Sequence, residues 1–329
     1  MALDIFIIGL DQIGASIGMA LAQSELEVRC TGYDPDAKLA RRAQQLGVVD
    51  QMVSRPVKAS EIADVVVIAT SSIDVRDFLE MLGEELKAGA VVLDTSPFKS
   101  HHTTWASELL PDERHYIGAL PTIGPGALLT EHPDLTTPRA DLFQGGLLAM
   151  VVPPKTSEEA VNLALKFAAA IGTTPFFLDP LEHDAVTATV HGLPYLMATA
   201  LMQMATRAHN CREIQRIAGR LFAHATDIDP SQLGKPQAYT LHLNRDVVIN
   251  KLDEFIDELR GLRDLITRDD HNALEIYLTE AIKARDSWLA IRQSGDWAGQ
   301  DLKPSMPNKR PSFLSRALGF RLQRPKDHK

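Results

Sequence analysis

The first half of the 329-residue chain alternates short, almost wholly apolar runs with segments whose apolar residues recur every three to four positions. Leu3–Ile8, apolar but for Asp4, is the first such run and leads through glycines into a helical pattern at Gln12–Gln23. A second strand is predicted at 27–33 and a charged helix at 36–46. Further strands at 65–69 and 90–93 enclose a helix at 74–86. Strands this short and this uniformly apolar are covered on both faces, and their alternation with helices predicts a doubly wound, mostly parallel α/β sheet. Strands at 115–119, 147–152 and 175–178 extend this domain to residue 179.

From 182 to about 292 the periodicity is helical, which predicts an all-α domain over 180–295. Within 251–266, Leu252, Phe255, Ile256, Leu259, Leu262 and Ile266 form an apolar stripe on an otherwise polar helix. One small domain cannot cover so broad a stripe, so this half is expected to form a homodimer and complete a cofactor cleft.

Composition narrows the class. An apolar share of 45% is globular, and no segment is expected to span a bilayer. The N-terminus enters its first strand without a charged leader, and Cys30 and Cys211 lack metal-ligand spacing. A cytoplasmic protein with reduced thiols is expected. The net charge is −9, yet eight basic residues from Lys303 onward are opposed only by Asp327. The acidic remainder argues against nucleic acid as a partner. In the basic tail, 296–329, the stretch 311–322 places Phe313, Leu314, Ala317 and Leu318 opposite arginines. Two readings stay open: a small amphipathic helix that docks weakly on a membrane surface or a protein, or a flexible solubilising tail.

Candidate chemistry begins at Gly9-Leu10-Asp11-Gln12-Ile13-Gly14, directly after the first strand and opening the first helix. Gly9 permits a tight turn, Gly14 permits close helix–strand packing, and the helix start at Ile13 offers amides to a pyrophosphate. Asp34 ends the second strand where a carboxylate accepts ribose hydroxyls, which favours NAD over NADP. Thr70, after the strand at 65–69, completes the candidate set. A Rossmann domain is the expected fold. Asp11 breaks the fingerprint, because it sets a negative charge where backbone usually approaches the diphosphate. The alternative is a sheet–helix turn of the same fold that binds nothing.

The sequence resembles the prephenate/arogenate dehydrogenase family over about residues 3 to 265. The resemblance is carried by Ile8-Gly9-Leu10 with Ile13-Gly14-Ala15-Ser16, by Gly32-Tyr33-Asp34 and by Ala63-Asp64-Val65-Val66-Val67-Ile68-Ala69. Asp94 with Lys99, Leu142-Phe143, Glu182-His183-Asp184, Leu193-Pro194 and Asn244-Arg245 complete it. It implies a homodimer through the helical domain and, for active members, oxidative decarboxylation of prephenate or arogenate with hydride transfer to NAD(P). In those members a histidine in a Gly-Gly-His-Pro segment accepts the ring hydroxyl proton; here the segment is Gly118-Ala119-Leu120-Pro121. The family's Asp-x-x-Ser-x-Lys serine falls at Pro97, with Ser96 adjacent. Its Ser-His-Leu-Pro-His segment becomes His191-Gly192-Leu193-Pro194-Tyr195. Its carboxylate-pairing arginine has no counterpart between Arg220 and Arg245.

Asp184, His191 and Tyr195, seven and four apart, fall on one face of a regular helix and are a candidate replacement row; satisfied polar residues at a domain junction are the plainer reading. Lys99 is either an ammonium aimed at an anionic ligand or an ordinary surface lysine. His183-Asp184 reads as a helix-start feature, Asp184 suiting its own helix's positive end. His101-His102 reads as a solvated pair, and no metal site is expected. The expected function is an NAD(P)-dependent oxidoreductase acting on a small anionic substrate through a rewired or weakened site. The alternative is a non-catalytic homodimer that senses a ligand or binds a partner.

Overall fold

The computed structural model describes residues 2–128, 137–228 and 234–295. The tail of interest, including 311–322, lies outside them. β1 (Leu3–Ile8) leads to α1 (Gln12–Gln23), and β2 (Val28–Tyr33) to α2 (Ala37–Gln45). β3 (Gln51–Met52) and α3 (Pro56–Ser60) precede β4 (Val65–Ile68) and α4 (Ser72–Leu82). Then come β5 (Val91–Asp94), α5 (Ser100–Leu109), β6 (His115–Pro121), α6 (Pro125–Leu128), β7 (Leu147–Val151), α7 (Glu158–Ala170) and β8 (Thr174–Phe177). The eight strands form one sheet in the order β3-β2-β1-β4-β5-β6-β7-β8, parallel throughout except where β7 runs against β6.

The apolar runs of the central strands have the reason the sequence suggests. Ile5 and Ile7 of β1 face one core with Val65, Val67, Val91 and Leu93. Phe6 and Ile8 face the opposite core with Val66, Ile68 and Val92. Both faces are covered by helices, so neither parity is polar. The short β3, α3 and α6 carry too few residues to show a period and were not anticipated. The predicted helix at 74–86 starts at Ser72, and its last residues form a separate 3-10 turn, Gly83–Glu85. Cys30 is buried and free, its thiol pushed up to about 12 by burial and then by Asp50.

Beyond β8 the chain is helical: α8 (Pro180–Thr187), a π turn (Ala188–Gly192), α9 (Leu193–Arg207), α10 (Cys211–Ile217), α11 (Arg220–Ala225), α12 (Lys235–Leu243), α13 (Arg245–Thr267) and α14 (His271–Ser294). The expectation that nothing is long and apolar enough to span a bilayer needs correction. α8, the π turn and α9 run on as one 28-residue helix, Pro180–Arg207, that passes by length and composition.

By compactness the chain divides into two units, Met1–Asp253 and Glu254–Lys329. Phe98, which follows β5, packs with Ala188 of the π turn and Val248 at the start of α13, so the π turn and the first residues of α13 share the first unit with the sheet. In the second unit, the Tyr277 hydroxyl donates to Glu258 Oε2 across 3.3 Å, and Asp270 caps α14 through Ala273 N.

Candidate active site

The winding of the sheet reverses between β1 and β4, and the crevice beyond their carboxyl ends is where such sheets bind ligands. Gly9 turns the chain there with φ +88°, and a Cβ on it would lie 2.6 Å from Ala69 O. A Cβ on Gly14 would lie 1.9 Å from Gly9 O, so only glycine lets α1 start this close to the turn. Asp34, at the end of β2, ties the turn together: Oδ2 accepts from Leu10 N and Oδ1 from Asp36 N, both at 2.7 Å. Each oxygen keeps a lone pair for a ribose hydroxyl. Burial pushes the Asp34 carboxyl above its usual range, assisted by Asp36 and opposed by the two amides. Thr70 follows β4 with its methyl against Gly9, and its buried hydroxyl has no partner among the described residues.

An orphaned hydroxyl, two positions where only glycine fits and a carboxylate with spare lone pairs suit a dinucleotide. Asp11 occupies part of the same space. It caps α1, its Oδ1 accepting from Ile13 N at 3.0 Å and Gly14 N at 3.4 Å. The amides that would face a pyrophosphate already hold an anion from the chain itself.

A second, fully buried cluster lies past β5. Asp94 Oδ2 accepts from Tyr116 Oη at 2.7 Å, Ser96 Oγ at 2.9 Å and Lys99 Nζ at 3.2 Å, with His102 Nδ1 2.9 Å away. Lys99 Nζ also donates to the carbonyls of Asp94 and Ser96, and its stem lies flush on Gly118, where a Cβ would stand 2.6 Å from Lys99 Cδ. Burial alone would raise the Asp94 carboxyl, but Lys99, His102 and Tyr116 outweigh it and hold it far below the usual range. Burial lowers the Lys99 ammonium and raises the Tyr116 phenol. The reading of Lys99 as a surface lysine is thereby corrected: it is fully buried, with its ammonium on Asp94 and Ser96. His102 is likewise buried and stacked on Trp105 at 5.1 Å, while His101 is exposed. The periodicity of α5 separates the two histidines. Ser96, next to Pro97, turns its hydroxyl into this cluster.

The helical side differs from expectation in two ways. Asp184 does not serve its own helix, which Asp179 caps through Leu181 N and Glu182 N. It caps α5 instead, accepting from Lys99 N at 2.6 Å and Ser100 N at 3.0 Å. Burial would raise its carboxyl, but His183, Ser100 and the two amides hold it low. The π turn then adds a residue to the helical repeat between Asp184 and His191, so the seven-residue spacing does not preserve a face. Among the described residues no hydrogen bond joins Asp184, His191 and Tyr195. His191 is exposed, and desolvation by the surrounding chain, then His183, lowers its imidazole. His183 is buried, its Nδ1 3.4 Å from Thr187 Oγ1 and 3.5 Å from Asp184 Oδ1, its Nε2 without a partner among the described residues. Leu120 sits half-buried on β6 opposite Ala149. Tyr116 and His102 were missed as members of a polar cluster because their partner, Asp94, is brought to them by strand pairing and helix packing.

Residues 17–174 match the family described as prephenate dehydrogenase, nucleotide-binding domain, and residues 179–280 match prephenate dehydrogenase, dimerization domain. The first match begins just after the glycine turn. A prephenate dehydrogenase of Bacillus subtilis (strain 168) is 27% identical over 298 residues, covering 88% of this chain and 77% of that protein. A cyclohexadienyl dehydrogenase of Zymomonas mobilis is 25% identical over 302 residues, covering 89% and 97%. The crystal structure of prephenate dehydrogenase from A. aeolicus in complex with hydroxyphenyl propionate and NAD+ shares the fold, with TM-score 0.75 and 21% identity over 87% of this chain and 98% of that one.

Proposed function

The chain belongs to the prephenate dehydrogenase family, and from that premise we propose hydride transfer to NAD from a small anionic acid of the prephenate or arogenate kind, on a site rewired at its proton-accepting position. It is an NAD(P)-dependent dehydrogenase of this type and a homodimer through its dimerisation domain. In our reading residues 1–179 hold the dinucleotide, 180–295 supply the dimer contacts and the substrate side, and 296–329 form a basic tail without a catalytic part. The enzyme works in the cytoplasm.

The observation that carries the cofactor reading is Asp34, bridging the glycine turn to the end of β2 at the winding reversal with lone pairs to spare. Bound there, the dinucleotide supplies the hydride acceptor. Asp34 takes the adenosine ribose hydroxyls and repels a 2′-phosphate. The Ile13 and Gly14 amides hold the pyrophosphate once Asp11 yields them, and Thr70 gives its orphaned hydroxyl a partner. Leu120 takes no proton. That work falls to His191, with Tyr195 one turn on. An imidazole held below its usual range is neutral near pH 7, the form that accepts a proton.

A thermal-shift series with NAD, NADP, prephenate and arogenate tests this, because a ligand that binds only the native state raises the melting temperature by mass action. NAD is expected to give a larger shift than NADP, and Asp34→Ser to narrow the gap. No shift with any of the four at millimolar concentration would overturn the reading.

A further inference from the structure

β8 is the last strand of the sheet, paired with β7 on one side only. Its two phenylalanines are adjacent and therefore point to opposite faces of the strand. Phe176 is 47% exposed and Phe177 52% exposed in the single chain. Large apolar side chains open on both faces of an edge strand invite association, and folded proteins normally cover or blunt such an edge. Four residues later the apolar exposure resumes on the helix that follows. Leu181 is 75% exposed, and Val190, Met197 and Met204, spaced seven apart, are also exposed.

We propose that a second copy of this chain covers Phe176 and Phe177, so that the dimer interface begins on the sheet edge of the nucleotide-binding domain and not at the first helix of the dimerisation domain. Continuity selects this occupant. The matched dimerisation domain starts at residue 179, two positions past the end of β8, and exposed apolar residues flank that boundary on both sides, Phe176 and Phe177 before it and Leu181 after it. Pro175 selects the mode of contact. It lies inside β8 and has no amide hydrogen to offer a further strand, so the partner packs against side chains and does not extend the sheet. The alternative occupant of an apolar 28-residue helix is a lipid bilayer, and the experiment separates the two. The inference rests on the homodimer and is independent of the substrate.

The test compares the full chain with its Phe176→Glu/Phe177→Glu variant by sedimentation equilibrium across nanomolar to micromolar concentrations. The dimer dissociation constant is expected to rise at least tenfold in the variant. Hydrogen exchange on the unmodified chain guards against misfolding of the variant: amides of 174–177 should gain protection with 179–207 as concentration rises through the dissociation constant. An unchanged dissociation constant, or exchange at 174–177 that ignores concentration, would overturn the proposal. So would co-sedimentation of the unmodified chain with phosphatidylglycerol/phosphatidylcholine vesicles that the double variant abolishes while dimerisation is unchanged.

Discussion

Asp184 closes the amino end of a helix that begins 84 residues before it: its Oδ1 accepts from Lys99 N at 2.6 Å and its Oδ2 from Ser100 N at 3.0 Å. α5 has no cap of its own, since lysine occupies the cap position and makes no side-chain bond there. A carboxylate from α8 does that work and so fixes the helical segment against the carboxyl end of β5.

Removing this cap should be felt in stability before chemistry. Asp184→Ala leaves two amides at the start of α5 without acceptors and is expected to cost about 1–3 kcal/mol in urea denaturation. The pH dependence follows from the low native values of Asp184 and Asp94. A carboxyl depressed in the folded state contributes stability above its unfolded value of about 4, and that stability is lost as pH falls through the native value. Stability should therefore decline from about pH 4 downward. Asp184→Asn should flatten the decline; an unchanged slope would remove Asp184 from this account.

Lys99→Met should unfold the chain more readily than a surface lysine change would. It strands the buried Asp94 carboxylate without its ammonium partner, a loss of about 3–5 kcal/mol for a broken buried pair. Adding Asp94→Asn should restore part of that loss, because the stranded charge goes with it. A double variant less stable than Lys99→Met alone would contradict the pairing.

Asp11→Gly should separate affinity from stability. It frees the Ile13 and Gly14 amides, so NAD is expected to bind about tenfold more tightly in calorimetry. The melting temperature should fall only slightly, since glycine in place of an acidic cap costs a few tenths of a kcal/mol, roughly. Unchanged or weaker NAD binding would mean that Asp11 does not compete with the pyrophosphate.

Turnover of prephenate or arogenate, followed as NADH at 340 nm, is expected to stay below an ordinary specificity constant of about 10⁴ M⁻¹s⁻¹. General acid–base help is worth roughly 10²–10⁴ in rate, and Leu120 offers none. Ser96 cannot substitute while its hydroxyl is bound to Asp94. His191→Asn should abolish whatever rate remains. Full activity that survives His191→Asn would place the base elsewhere.

The sequence by itself determined the sheet and the nucleotide turn, because both rest on local physics. Leu3–Ile8, but for Asp4, and 65–69 are apolar throughout, which only strands buried on two faces require. Gly14 answers to a steric demand from Gly9 five residues before it, and Asp34 follows directly from the strand end. What the tertiary structure decided involves groups far apart in the chain. Lys99 looks exposable until Asp94 and Gly118 enclose it, and Asp184 looks like a cap for its own helix until α5 arrives. The π turn at Ala188–Gly192 leaves no mark on a spacing rule that assumes 3.6 residues per turn, yet it separates His191 from Asp184. Local periodicity places each residue on its element; only packing decides which elements meet, and with them which charges are neutralised.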